Sequence, residues 1–443
     1  MSAGVPKVID LFSGCGGLSL GFEKAGFPFA GGIDLLPEAV NTITANMAWR
    51  YGREADHICA DITETDPSVL RDNFGDGGCI VIGGPPCQAY SRAGRAKLNS
   101  LGDERLNTKD SRGYLFQDFL RFVFGLDAEA VVMENVPEAT RFGEINVPET
   151  VCAELERNGY DAWWTILCSA DYGVPQIRER LFIFGKRKGA TPVSLPAPTH
   201  RDVFGYVPQY GKQLGSFAKF KHFRMPLSPS KDAPQWVTAG DALSDLPSLF
   251  PDENSKYANL PLNTELPYRT DPANDFQRLM RGWYGFELPG VTANSFRRNV
   301  RDFPIFARMR QGDCFTDAAR IADELFSRKA RELGLSPESA EYADLKRKMV
   351  PIYDRDNFAE KWRRLDENKP SHTVVAHLSV DTYSHIHPWE PRGISVREAA
   401  RLQSFPDDFT FNCSMGDAFK QIGNAVPPLL ALGVAKAVYE SFK

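Results

Sequence analysis

The chain has 443 residues, 42% hydrophobic and 25% charged, the balance of a folded protein long enough for two domains. A net charge of −5 excludes a uniformly basic nucleic-acid binder, although a large enzyme needs only a local basic face. No stretch offers the roughly 18 apolar residues of a membrane span.

The opening MSAGVPKVIDLF lacks the basic start and apolar run of a signal peptide, so an intracellular protein with no membrane partner is expected. From there strand and helix signals alternate. KVIDLF (residues 7–12) is a short apolar run, followed by the glycine-rich SGCGG and a helix to about Lys24. FAGGID predicts a second strand ending on Asp34, and Pro37 opens a helix to about Met47. HICADI and CIVIGG are strands three and four. A helix over LFQDFLRFVFGL, a strand at AVVMEN and a helix over VCAELERNG come next, then strands DAWWTILCSA and RLFIFGK. Several strands are apolar on both faces. That predicts an α/β fold, a doubly wound, mostly parallel, Rossmann-like sheet with helices on both sides.

The alternation breaks near Lys186, which divides the chain into 1–186, 187–365 and 366–443. The middle span is rich in Pro and Ser and predicts a second, smaller domain of irregular mixed structure. Within it, residues 317–349 read as one or two solvated helices and a candidate insertion. Helical spacing returns at SVREAARLQSFP, and AVPPLLALGVAKAVYESF predicts an amphipathic helix after its prolines.

Chemistry concentrates where the strands end. Gly14, Gly16 and Gly17 let backbone approach a ligand at a helix N-terminus, and Asp34 follows where a carboxylate takes ribose hydroxyls. Ser19 occupies the third glycine position of a dinucleotide fingerprint, so an adenosyl ligand without pyrophosphate, such as S-adenosylmethionine, fits better than a nicotinamide dinucleotide. A tight packing turn is the plain alternative. Asp61, closing HICADI, suits the exocyclic amine of adenine. In VIGGPPCQAYS, Cys87 follows two glycines and two prolines at a strand end, either as a packed thiol or as a nucleophile. Glu134 ends AVVMEN in the same way and is a candidate acid, or a solvated carboxylate. In QIRER, Arg178 and Arg180 share one face of an extended segment, aimed at a substrate or at solvent. The eight cysteines include no CxxC pair and the seven histidines no ligand spacing beside them, so no metal is expected.

DLFSGCGG, GGPPCQAYS, DSRGYLF, ENV, QIRER, VREAARLQSFPDDF and QIGNAVPP occur in this order. The combination resembles the DNA (cytosine-5) methyltransferase family of the prokaryotic restriction-modification type, over roughly residues 7–186 and 362–440. The resemblance implies a methyltransferase sheet and a target-recognition domain in the unmatched middle span. It implies that Cys87 adds to carbon 6 of a flipped-out cytosine. Glu134, with Asn135 beside it, would meet ring nitrogen 3, and Arg178 and Arg180 would hold the base and order the site. It places S-adenosylmethionine against Phe12, Gly14, Gly16, Gly17 and Leu18, with Asp34 on the ribose and Asp61 and Ile62 at the adenine. Gly84 and Pro86 would border the methionine end, and Leu115, Asn424 and Val426 would line the pocket. Leu35 departs from the pattern, since an aromatic residue often stands there.

The polar, basic stretch 88–109 matches a mobile loop over the flipped base, with Gln88 and Ser91 as DNA contacts. In SFRRNVRDFPIFARMRQGD, Arg297, Arg298 and Arg301 head a cluster suited to phosphates or base edges. Double-stranded DNA is the expected partner, a restriction endonuclease acting on the same site a candidate second one, and a cytoplasmic monomer the expected form. A transfer-RNA cytosine methyltransferase and a silent DNA-binding regulator are the competing readings. The long unmatched region argues against the first, and the intact Cys87, Glu134 and Arg180 against the second.

Overall fold

The computed structural model of the chain describes residues 5–51, 57–86, 114–143, 145–207, 209–250, 260–299, 301–351 and 361–443. They form two compact units, Met1–Trp236 with Ala425–Lys443, and Val237–Asn424.

The first unit is built on seven strands: β1 (Lys7–Leu11), β2 (Phe29–Asp34), β3 (His57–Cys59), β4 (Cys79–Gly83), β5 (Ala130–Asn135), β6 (Tyr160–Cys168) and β7 (Glu179–Arg187). Their order is β3-β2-β1-β4-β5-β7-β6. β1 to β5 pair in parallel, and β7 enters between β5 and β6 antiparallel to both. Helix-covered central strands must be apolar on both faces, and Val8, Ile9, Ile80, Val81, Ile82, Val131, Val132 and Met133 are all fully buried. The strand order reverses between β1 and β4. Ligands of open α/β sheets bind outside the carboxyl ends of the strands at such a switch point, here after Leu11 and after Gly83.

Helix α1 (Gly17–Lys24) leaves the β1 turn and packs on the last helix of the chain, Pro428–Glu440. The helices meet so closely that a Cβ on Gly21 would lie 2.4 Å from the Ala431 Cβ. Phe27 adds edge contacts to Tyr439 and Phe442, with ring centroids 5.2 and 6.3 Å away. Helix α2 (Pro37–Tyr51) follows β2. Composition alone makes Met415–Glu440 long and apolar enough to cross a membrane, yet 67% of that window is buried, and its two helices are interrupted at 425–427.

The first unit runs past Lys186. Trp164 on edge strand β6 donates its backbone N–H to His222 O and accepts from Arg224 N, both at 2.9 Å. Phe217 and Phe223 pack on its ring at 5.6 and 4.7 Å. Buried His222 donates from Nδ1 to Glu149 Oε2 at 2.8 Å. Residues beyond β7 therefore cover an edge that would otherwise present bare N–H and C=O groups.

In the second unit the described strands are one two-residue pair, Leu266–Pro267 with Gly290–Val291. Its core gathers Phe303, Phe306, Phe315, Ile321, Trp362, Tyr383 and Ile386. The charged stretch forms two helices, Phe315–Glu332 and Ala340–Met349, the second with no buried residue. The helix Val396–Leu402 buries its arginines as well as its apolar positions. Arg401 pairs with Asp407 at 2.5 Å and Asp245 at 3.1 Å, and Arg397 caps the carbonyls of Thr292, Pro406 and Phe409.

Candidate active site

The turn after β1 is left-handed at three places, Phe12 (φ 57°), Gly14 (φ 53°) and Gly16 (φ 90°). Gly16 also has no room for a side chain, since a Cβ would sit 2.7 Å from Ile43 Cδ1. At Gly14 that space is open within 4 Å. Asp34, at the end of β2, accepts from Gly14 N and Leu36 N, both at 2.8 Å. The carboxylate thus ties the glycine turn to the second strand. Beneath the turn, Ser19 in the first coil of α1 donates to the buried Asp10 of β1 at 2.5 Å. Burial pushes the Asp10 carboxyl up to about 7, against the lowering effect of the Ser19 bond. Asp10 braces α1 from below the turn, a contact that motif reading missed. Its one signal was a carboxylate inside an apolar strand.

Leu35, 61% exposed, extends from the same corner, and the Cys59 thiol at the end of β3 reaches its carbonyl at 3.7 Å. Asp61 is exposed and accepts from Thr63 N (2.9 Å) and Thr63 Oγ1 (2.7 Å), bonds that hold its pKa below the ordinary value. Ile62 is 5% exposed, and its carbonyl accepts from Arg121. Leu115 is the first residue of the helix Leu115–Gly125, half-buried against the core. A glycine turn with open space, a carboxylate at a strand end, an exposed apolar residue and a second carboxylate fit the donor and surface needs of an adenosyl ligand.

The next strand ends carry the other cluster. Gly84 follows β4, and a Cβ there would be 3.0 Å from Glu134 Oε2. Glu134 Oε1 accepts from Arg180 Nε at 2.9 Å, with both side chains almost enclosed. Antiparallel pairing explains this meeting, since β5 and β7 oppose Glu134 to Phe182 and Asn135 to Leu181. Burial raises the Glu134 pKa, and the nearby Arg180 and Arg178 offset that only in part. Arg178 is 2% exposed and so does not reach solvent. Between the two arginines, Glu179 accepts from Tyr210 N at 3.1 Å, and burial carries its pKa to about 7.

Asn135 has a definite role in this geometry. Its Nδ2 donates to Pro85 O at 3.2 Å, and its Oδ1 accepts from Val136 N at 2.8 Å. It fixes the Pro85–Pro86 approach to position 87. Cys87, Gln88 and Ser91 lie outside the described residues. Val426 is in the first unit and Asn424 in the second. Arg297 donates to Ser379 O, Arg301 grips Asp302 at 2.7 Å, and Arg298 is exposed.

A profile of C-5 cytosine-specific DNA methylases matches residues 6–440. M.OihORF3336P of Oceanobacillus iheyensis, assigned as a type II methyltransferase, is 48% identical across 99% of this chain and 96% of its own length. The type II methyltransferase M.AgeI of Thalassovita gelatinovora is 34% identical across 98% and 99%. Among solved structures, a prophage-encoded protein of E. coli assigned as a DNA modification methyltransferase superposes with TM-score 0.64 and 25% identity. It covers 98% of this chain and 99% of its own. Sheet order, strand-end chemistry and these matches along nearly the whole length agree: the chain belongs to the C-5 cytosine-specific DNA methylase family.

Proposed function

We propose that the protein is the cytoplasmic modification enzyme of a bacterial restriction-modification system. It transfers a methyl group from S-adenosylmethionine to carbon 5 of a cytosine flipped out of duplex DNA. The observation that carries this reading is the meeting of Glu134, Arg180 and Gly84 at one sheet edge, with Asn135 holding the prolines before Cys87. The relatives' type II class supports the restriction-modification setting. Residues 1–186 with the C-terminal helix act as the catalytic part, and the unmatched middle span reads the sequence.

Carbon 5 of cytosine is a poor nucleophile until the ring loses its aromaticity. The Cys87 thiolate bonds to carbon 6, and the displaced electron pair becomes an enamine reaching carbon 5. Glu134, whose pKa burial raises, supplies a proton at nitrogen 3 and takes up the charge the addition creates. Arg180 orients that carboxyl through its Nε, and Arg178 adds fixed positive charge behind it. The cofactor supplies the methyl group. Asp34 would hold its ribose and Asp61 with Ile62 its adenine, and Leu35 would give an aliphatic platform where stacking is common. Loss of the carbon-5 proton to water re-forms the carbon 5–carbon 6 double bond and expels the Cys87 thiolate, and the nitrogen-3 proton returns to Glu134.

The test is transfer of labelled methyl from S-adenosylmethionine to duplex DNA, with transfer RNA in parallel and Cys87→Ser as control. Label on cytosines of one short DNA motif, absent with Cys87→Ser, is the expected result. Label on transfer RNA alone, or full activity in the variant, overturns the reading.

A further inference from the structure

A buried carboxylate with no cation beside it lies under the glycine turn. Asp10 is the fourth residue of β1, 1% exposed, one position before the strand end from which the turn leaves. Across the sheet it stands opposite Gly32 of β2 and Ile82 of β4, neither of them charged. Helix α1 sets Ser19 against it, with the hydroxyl donating at 2.5 Å. The charged groups of the surrounding helices lie at the surface: Lys24 of α1, Glu38 of α2, and Lys436 and Glu440 of the last helix are exposed, and Glu23 is partly so. Among the described residues, the charge that acts on Asp10 through space is a second carboxylate, Asp34. Burying an acid without a cation is costly, and such groups concentrate where function uses them.

Asp34 ties Asp10 to the pocket. It accepts from Gly14 N at 2.8 Å, so it is part of the turn, and its charge reaches Asp10. A charge bound against the same turn reaches Asp10 too, since Coulomb interactions strengthen where water is excluded. The methyl donor and its product differ in that charge. S-adenosylmethionine carries a sulfonium cation. When the methyl leaves, the sulfur keeps the electron pair of the broken S–C bond and becomes the neutral thioether of S-adenosylhomocysteine. Asp61 is exposed, where water and salt screen its charge.

We propose that Asp10 is the counter-charge by which the site favours the cationic methyl donor over its neutral product. It is a positioning residue, acting through the turn above it. This role rests on the reading of the chain as an S-adenosylmethionine-dependent methyltransferase. Burial brings the Asp10 carboxyl up to about 7, so it gains its charge as pH rises through neutrality. A bound cation favours that charged form. Affinity for the methyl donor therefore rises with pH through this range, and affinity for the product does not.

The test measures, by calorimetry, the affinity of the full-length protein for S-adenosylmethionine and for S-adenosylhomocysteine from about pH 5.5 to 7.5. Wild type is compared with Asp10→Asn and Ser19→Ala. Wild-type affinity for the methyl donor is expected to rise about five- to tenfold across the range, and that for the product to change less than about twofold. Asp10→Asn keeps an acceptor for Ser19 but loses the charge. It is expected to flatten the methyl-donor profile and to leave product affinity within about twofold of wild type. Ser19→Ala removes a bond that lowers the Asp10 pKa, and is expected to move the rise to higher pH. The ligands' own amino groups titrate in all three proteins, so the difference between wild type and Asp10→Asn isolates Asp10. Parallel profiles for the two ligands in wild type overturn the inference without recourse to a variant. Equal weakening of both ligands by Asp10→Asn makes Asp10 a structural brace only and also overturns it. In either case, DNA methylation by the wild type leaves the functional reading standing. A wild type that binds neither ligand and labels no DNA overturns both.

Discussion

At the scale of single residues, the decisive group is Glu134. An exposed glutamate is almost fully ionised at neutral pH and has no proton to give. Here burial favours the neutral acid, while Arg180 and Arg178 pull the other way, and burial prevails. The proposed mechanism uses the protonated form, so methyl transfer is expected below the raised pKa and is expected to be lost as pH rises through it. Glu134→Gln is expected to cut kcat by about 10²- to 10⁴-fold and to abolish that alkaline limb. A variant keeping the same limb would show that some other group titrates. Glu134 and Arg180 were legible as candidates because each stands near the terminus of a strand in a distinctive motif, while Cys87 lies outside the described residues. The sequence could not show that Asn135 tethers Pro85, since that bond depends on where β5 lies beside β4. Nor could a run of arginines reveal that Arg297 is committed to the Ser379 carbonyl far along the chain.

At the scale of elements, the strands were readable because a sheet covered on both faces demands continuous apolar runs. KVIDLF, CIVIGG and AVVMEN correspond to β1, β4 and β5. The antiparallel insertion of β7 was not readable, since pairing partners leave no mark on one strand's composition. The helix Met415–Asn424 was hidden by the glycine and asparagine of QIGN, where Gly423 is required because a Cβ would meet Ala376 N at 2.2 Å. Glycine carries similar meaning in α1. Gly21→Ala would drive a methyl into Ala431 and its backbone, and overpacking of this kind costs about 1–3 kcal/mol. The helix would have to shift, and the glycine turn proposed to hold the cofactor lies at its N-terminus. Chemical denaturation should show the loss of stability, and calorimetry a weaker S-adenosylmethionine affinity. Gly215→Ala, with nothing within 4 Å of the added Cβ, should leave both unchanged. Equal effects from the two substitutions would rule out the close helix contact as the cause.

At the scale of the molecule, the catalytic unit is completed by the last residues of the chain. Between its two parts the sequence leaves to form the unit Val237–Asn424, then returns as the helix Pro428–Glu440. Pairing the first helix with the last brings together segments at opposite ends of the sequence, a contact with a large loop-closure entropy that local propensity cannot supply. Burial has to supply it. Leu429, Leu430, Val434 and Val438 are each no more than 8% exposed. At about 1.5–3 kcal/mol for each side chain, the four contribute roughly 6–12 kcal/mol, comparable with the whole stability of a typical domain. A chain ending at Asn424 should therefore lose more than a peripheral helix. It would bare Gly21 and Phe27 and leave α1, and with it the cofactor turn, without its packing partner. The expected outcome is loss of S-adenosylmethionine binding by calorimetry and of the cooperative thermal transition of the catalytic unit. Adding a peptide of residues 425–443 should restore part of both. Cofactor affinity equal to that of the full chain in the truncated protein would mean that α1 and its turn hold their shape unaided, and the C-terminal return would then be dispensable to the site.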